Sequence, residues 1–412
     1  MRCVRLLIAS VAAATAVFGE LNDTLAPAID HPAIGYVNYI KHPARDAVAQ
    51  LIGKIGQGAA KLRFEDGSGY LRSLLEALHV PIESQMAVFS KTSLQSPLIE
   101  PGNPRTIFFN DSVAVAWMRG GFIELAAQDP EQGVNFYTLQ QHPVEKPAFD
   151  RPDRCLACHI SEDSLWVPGM VVHSRFTAPD GRPQLILGGY TTDHRSPFEE
   201  RWGGWYVTGD VGAMHHMGNT VYPTEDRAQT IPVTIGSPYL APSSDIAALL
   251  VFNHQMRMSN LLTRIGWEAR AGAYDKRPGL DTVLRDAAKE LVDYLLFVDE
   301  APLPGKIRSA SGFIERFAAE GPFDSRGRSL RQLDLNKRLM RYPCSYMIYT
   351  AAFDSLPAAA REAIYRRMWR ILSGDEKGPK YTRLSLADRQ AIVEILRATK
   401  MGLPNYFQVV GK

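Results

Sequence analysis

Two thiols and an imidazole fall within five residues at Cys155-Leu156-Ala157-Cys158-His159. This C-x-x-C-H spacing is that of a covalent haem attachment site. Each thiol can add across one vinyl group of haem, and two intervening residues let both sulfurs reach one edge of the macrocycle. The adjacent imidazole then sits under the iron as its proximal axial ligand. Its other ring nitrogen should donate to a carbonyl or carboxylate, fixing ring plane and tautomer. The spacing thus predicts one haem c per chain, held by Cys155 and Cys158 and ligated by His159. A thioredoxin-like dithiol should open a helix after a strand, whereas Gln141 to Arg154 reads as a loop with three prolines. A zinc knuckle needs a second ligand pair at short spacing, and no other cysteine lies within a hundred residues.

The sixth iron position decides what such a haem does: a second strong ligand makes an electron carrier, and an open position admits a substrate. His216, in His215-His216-Met217-Gly218-Asn219, and His254, on an apolar helix stripe with Ile246, Leu250 and Leu261, are the leading candidates for a distal ligand. His194, in a polar turn, ranks next. Met170 and His173 come last, because the chain must round the macrocycle within a few residues of His159. Trp166, Trp202, Trp205 and Tyr206 are candidate walls for a porphyrin, and Arg175, Arg195 and Arg201 candidate partners for its propionates.

The start of the chain agrees with this chemistry. Arg2 and Arg5 precede an apolar run from Leu6 to Phe18, and a small residue, Gly19, follows. That is the pattern of a secretory signal over 1–19, too short for a membrane span of about 20 apolar residues. Covalent haem attachment normally follows export, so the expected location is the periplasm. Removal of the signal takes Cys3 with it. Cys344, in Arg341-Tyr342-Pro343-Cys344-Ser345-Tyr346, then remains as a single thiol and reads as buried and unreactive. A formal net charge of +2 with no dense basic stripe argues against a nucleic-acid partner. No long apolar segment follows the signal, so no membrane span is expected.

Two regions must position the motif. Residues 45 to 80 have helical periodicity, with Val48, Leu51 and Ile55 on one face. Short β-prone runs follow at Met86–Phe89, Thr106–Phe109, Val113–Trp117, Ile123–Leu125 and Val134–Leu139, with turn residues between them, which predicts antiparallel pairing. Gln184–Leu187 and Gly204–Val207 read as further strands. From Ser243 the pattern is helical, with segments to about Ala269, then Thr282–Phe297, Pro357–Ser373 and Leu386–Ala398. Ser385 and Asp388 form a capping-box pair. The expected class is α+β: an antiparallel β-rich haem-binding region over 20–240, then a helical region over 241–412.

The ordered set of Gln85 to Ser93, Asn103-Pro104-Arg105, Phe109-Asn110-Asp111, Phe136 to Leu139, the C-x-x-C-H, Arg201 to Gly209, His216 to Asn219 and Arg341 to Tyr346 resembles uncharacterised exported bacterial cytochrome c-domain proteins. The resemblance spans most of the mature chain. It implies a single covalent haem and export, with no established reaction. The chain departs from that pattern at Gly209-Asp210-Val211-Gly212, where a glycine-histidine pair is expected. The function expected is one-electron transfer with a redox partner protein. The alternative is a haem c enzyme or a gas or redox sensor with an open distal site.

Overall fold

The computed structural model describes residues 31–34, 43–309 and 311–408. The expected signal over 1–19 lies outside them. The class is α+β as expected: antiparallel strands fill the first half and helices the second.

Helices α1 (Ala47–Gly56) and α2 (Leu71–Ala77) come first. Asp46 caps α1: its Oδ1 accepts from the amides of Val48 and Ala49, as orphan N–H groups in a first turn require. Strands follow at β1 (Met86–Val88), β2 (Arg105–Phe109), β3 (Val113–Trp117), β4 (Ile123–Asp129), β5 (Gly133–Leu139) and β6 (Phe149–Asp150). With β9 (Trp205–Tyr206) they form one antiparallel sheet in the order β6-β5-β4-β3-β2-β1-β9. The C-x-x-C-H turn is α3 (Leu156–His159). A hairpin of β7 (Val172–Arg175) and β8 (Gly189–Thr192) follows it.

The expected strand at Gln184–Leu187 is instead a 3-10 turn over Leu185–Leu187, and the pairing strand starts at Gly189. Leu185 and Ile186 are 85% and 78% exposed, so no sheet face buries them and apolar character alone does not make a strand.

After a second hairpin, β10 (Thr220–Thr224) with β11 (Arg227–Thr230), the chain turns helical. The helices are α4 (Ile246–Tyr274), α5 (Leu280–Leu295), α6 (Phe313–Ala319), α7 (Ala351–Asp354), α8 (Ala358–Ser373) and α9 (Leu386–Thr399). Asp245 caps α4, Gly374 closes α8 in the left-handed conformation, and the Ser385–Asp388 capping box is present. No helix of the described residues is long and apolar enough to cross a membrane.

The sheet's two faces differ in what they carry. Side chains alternate along a strand. Phe108, Val113, Val115, Trp117, Leu125, Ala127 and Tyr137 pack with α1 and α2 on one face. The other face carries Ile107, Ala114, Ala116, Glu124, Ala126 and Phe136 and looks toward α4, where Phe109 meets Phe252 at 5.0 Å between rings. One face is therefore filled by large side chains, while three alanines leave the other hollow. Residues of this second face and of α4 to α9 share one apolar core.

One buried acid ties the helical half together. Glu300 follows α5, accepts from the Leu339 amide at 2.7 Å, and lies 3.6 Å from Arg383. Burial pushes its carboxyl up to about 7 from 4.5. The native state then binds the proton more tightly than the unfolded chain. Stability from this group is fully present below about 4.5 and falls as pH rises through about 7. Glu300→Gln keeps the acceptor for Leu339 and should remove this fall, up to about 3 kcal/mol. Urea midpoints of both proteins on either side of that pH window check it.

Candidate functional site

The cysteines and the histidine are brought together by one turn of helix. Cys155 immediately precedes α3, and Cys158 and His159 lie within it. Positions i, i+3 and i+4 of a helical turn share one face, so all three side chains point the same way. They line a cavity of about 450 Å³ between α3 and the hollow face of the sheet. Ala114, Ala116 and Ala126 form its floor, Ile107, Phe136, Trp205 and Phe252 its walls, and Met170 and His173 a further side. Cys158 is exposed and Cys155 half-buried, so the sulfur edge lies at the cavity mouth. Burial, with Glu124 adding to it, pushes the Cys155 thiol up.

His159 is held through one ring nitrogen. Its Nδ1 lies 2.9 Å from the carbonyl oxygen of Gly169. A carbonyl only accepts, so Nδ1 carries the proton and Nε2 keeps its lone pair. Burial lowers the ring's pKa, favouring the neutral form that can bind a metal. The ring also lies 4.2 Å from that of Phe136. The path that returns Gly169 to His159 is tight. Leu165 and Trp166 both adopt the left-handed conformation (φ 62° and 60°), costing on the order of 1 kcal/mol each. Three amide bonds offset this: Trp166 to the Ser161 carbonyl, Gly169 to the His159 carbonyl, and Val134 of β5 to the Pro168 carbonyl.

Gly169 has no room for a side chain. A Cβ there would stand 2.1 Å from Oδ1 of Asn260, whose Nδ2 donates to the Met170 carbonyl. Gly169→Ala should therefore cost about 1–3 kcal/mol and shift the carbonyl that orients His159. A lower urea midpoint checks the first effect, and an altered spectrum of haem-loaded protein checks the second.

The residues expected at the sixth position are placed elsewhere. His194 and His254 are fully buried and bonded to each other: their Nδ1 atoms lie 2.7 Å apart, His254 Nε2 lies 2.7 Å from the Ser345 hydroxyl, and His194 Nε2 is buried without a hydrogen-bond partner. Tyr294 and Phe297 stack against the pair. Burial drives both histidines to low pKa, His254 to about 3. Phe252, not His254, lines the cavity, because two positions of a helix are about 200° apart. His216 accepts from the Gly218 amide and packs against Trp202, and it does not line the cavity. Among the expected candidates, only Met170 and His173 reach the cavity, which reverses their ranking.

Each is held in place by its own surroundings. Met170 follows Gly169, whose carbonyl sits on the Nδ1 side of the ring. A methionine sulfur reaches about 7 Å at most from the preceding carbonyl oxygen. The Met170 sulfur therefore stays within that reach of the Gly169 carbonyl, which lies on the Nδ1 side of His159. His173 is paired on β7 with Thr191 of β8, and its Nδ1 lies 2.9 Å from Arg175 Nη2. A guanidinium only donates, so Nδ1 accepts and the neutral ring carries its proton on Nε2. Burial, with Arg175 adding to it, pushes this ring down to about 4.

The expected walls and cations also change. Trp205 lines the cavity; Trp202 is buried behind it, and Trp166 is partly exposed. Arg195 pairs with Asp193, and Arg201 is buried on the carbonyls of His194 and Ser196. The cations that line the cavity are Arg105, bonded to Glu124 at 2.9 Å, and Arg154. Sequence reading missed these and the alanine floor. The signal was present in Val113-Ala114-Val115-Ala116-Trp117, which alternates large and small residues strand-wise. Cys344 is fully buried, and burial pushes its thiol far up, as expected of an inert cysteine.

The donor set would suit a porphyrin. Among the described residues, no three or more His, Cys, Asp or Glu side chains are arranged to hold a metal. An iron porphyrin brings four nitrogens of its own and needs from the chain what α3 offers. The volume lies within the roughly 300–1,000 Å³ of ligand cavities. No family model, no curated protein and no solved structure matches the chain.

Proposed function

We propose that this chain is an exported, periplasmic monohaem c-type protein whose haem is bonded to Cys155 and Cys158 and ligated by His159. One observation carries the reading: the two thiols and the free Nε2 of His159 converge on the mouth of an apolar cavity, with Nδ1 committed to Gly169. Arg105 and Arg154 would face the propionates, and Phe136, Trp205 and Phe252 the ring. Bound there, the haem would supply one-electron chemistry and a metal site for small ligands.

The geometry favours the open-site reading, a haem c enzyme or a gas or redox sensor, over a saturated electron carrier. His194 and His254 bond to each other, His216 lies off the cavity, Met170 is tethered on the wrong side, and His173 holds its proton on Nε2. The chain's own work is to orient His159, wall the ring from water and leave the far side accessible. Electron exchange with a redox partner protein stays within the proposal, because exposed Cys158 would put a thioether edge at the surface.

Absorption spectra of purified protein, ferric and ferrous, with and without carbon monoxide, test this. A high-spin ferric spectrum and a ferrous band that moves with carbon monoxide are expected. A low-spin spectrum indifferent to carbon monoxide overturns the open site in favour of the carrier, and colourless protein overturns both.

A further inference from the structure

We infer that His173 is the hydrogen-bond donor of the distal pocket, fixed in that role by Arg175, and that the pocket selects small ligands able to accept a hydrogen bond. The inference rests on the haem reading above and names what its open position prefers.

The argument is one of tautomer. His159 and His173 both line the same cavity, yet their outer nitrogens are committed in opposite senses. His159 Nδ1 faces an acceptor, the Gly169 carbonyl. His173 Nδ1 faces an obligate donor, Arg175 Nη2 at 2.9 Å, beside the Thr191 hydroxyl at 3.3 Å. The first ring is therefore left with a lone pair on Nε2 and the second with an N–H. One fold thus makes a ligand and a donor from the same residue type. The Trp205 indole further anchors the strand by donating to the His173 carbonyl at 2.8 Å. Arg175 sits two positions along β7, on the same strand face, so the pairing is built into the strand's alternation. Arg175 is a positioning residue: it acts through His173. A ligand such as cyanide, with a lone pair beyond its bonded atom, accepts from Nε2–H; carbon monoxide accepts weakly.

Infrared spectra of the ferrous carbon monoxide complex and cyanide dissociation from the ferric protein test this in the wild type, His173→Leu, His173→Gln and Arg175→Met. The C–O stretch should move to higher wavenumber in His173→Leu and in Arg175→Met, and return toward the wild-type value in His173→Gln, whose amide restores an N–H. Cyanide should leave His173→Leu on the order of tenfold faster, the rate equivalent of one lost hydrogen bond. A C–O stretch unmoved by His173→Leu overturns the inference alone. So does a wild type that is low-spin and becomes high-spin in His173→Leu, since His173 is then a ligand. A wild type that carries no haem fails the parent reading and this one together.

Discussion

Cys155→Ser/Cys158→Ser protein, produced in a host that matures c-type cytochromes, should carry no porphyrin that survives acidified organic solvent. Serine is nearly isosteric with cysteine but offers no thiol to add to a vinyl group. Among the described residues there is no replacement: Cys344 is fully buried with its thiol pushed far up, and it does not line the cavity. Each single variant should keep one thioether and a shifted haem spectrum. The apo fold should be unaffected, because Cys158 is exposed and Cys155 half-buried, and exposed substitutions usually stay within about 0.5 kcal/mol. Urea unfolding beside haem staining after denaturing electrophoresis separates loss of attachment from loss of fold. A double variant that keeps solvent-resistant porphyrin would contradict the assignment.

Ala126→Phe should abolish haem loading while leaving the apo protein as stable as before. Ala126 lies on the hollow face, opposite Ala114 on β3 and Phe136 on β5. A phenyl ring there has a cavity to enter, and the apolar area it buries stabilises at roughly 25 cal/mol per Å². Its neighbour, Ala127, is fully buried on the opposite face among the packed side chains against α1 and α2. Ala127→Phe meets no space and should cost about 3 kcal/mol, at the upper end of overpacking. Two adjacent residues with inverted outcomes, one losing haem and the other losing stability, are the signature of a sheet with one filled and one empty face. Haem content by absorbance and stability by urea unfolding read the two separately. Equal haem loading in Ala126→Phe and the wild type would place the haem elsewhere.

Local chemistry made much of this architecture legible in advance. The α1 stripe of Val48, Leu51 and Ile55, the alternating strands and the Ser385–Asp388 capping box are all set within a few residues, and each forms as its pattern dictates. The C-x-x-C-H turn is equally local, because one helical turn suffices to align Cys155, Cys158 and His159. The rest of the cavity wall was not legible, because it depends on which way long-range packing turns a helix and a hairpin. His254 and Phe252 are indistinguishable by periodicity, since both belong to the buried surface of α4, which is covered on nearly all sides. Only the positions of the sheet and of α5 decide that Phe252 faces the cavity and His254 faces Tyr294. The hydrogen-bond surroundings of His173 are Arg175 and Thr191, and the second of these arrives only through the β7–β8 pairing. Asp46 shows the same limit in the core. Its capping of α1 is a sequence-level feature, but its Oδ2 also accepts from Asn135 and Tyr137 of β5, a union of helix and sheet that no spacing reveals.

Intact-mass spectrometry of the wild-type chain, matured in an export-competent host and denatured before analysis, tests the central claim most directly. The polypeptide should be heavier by one haem, and a tryptic peptide holding Cys155 and Cys158 should carry all of that added mass. A denatured chain at its bare polypeptide mass, with both thiols free to alkylate, would contradict it.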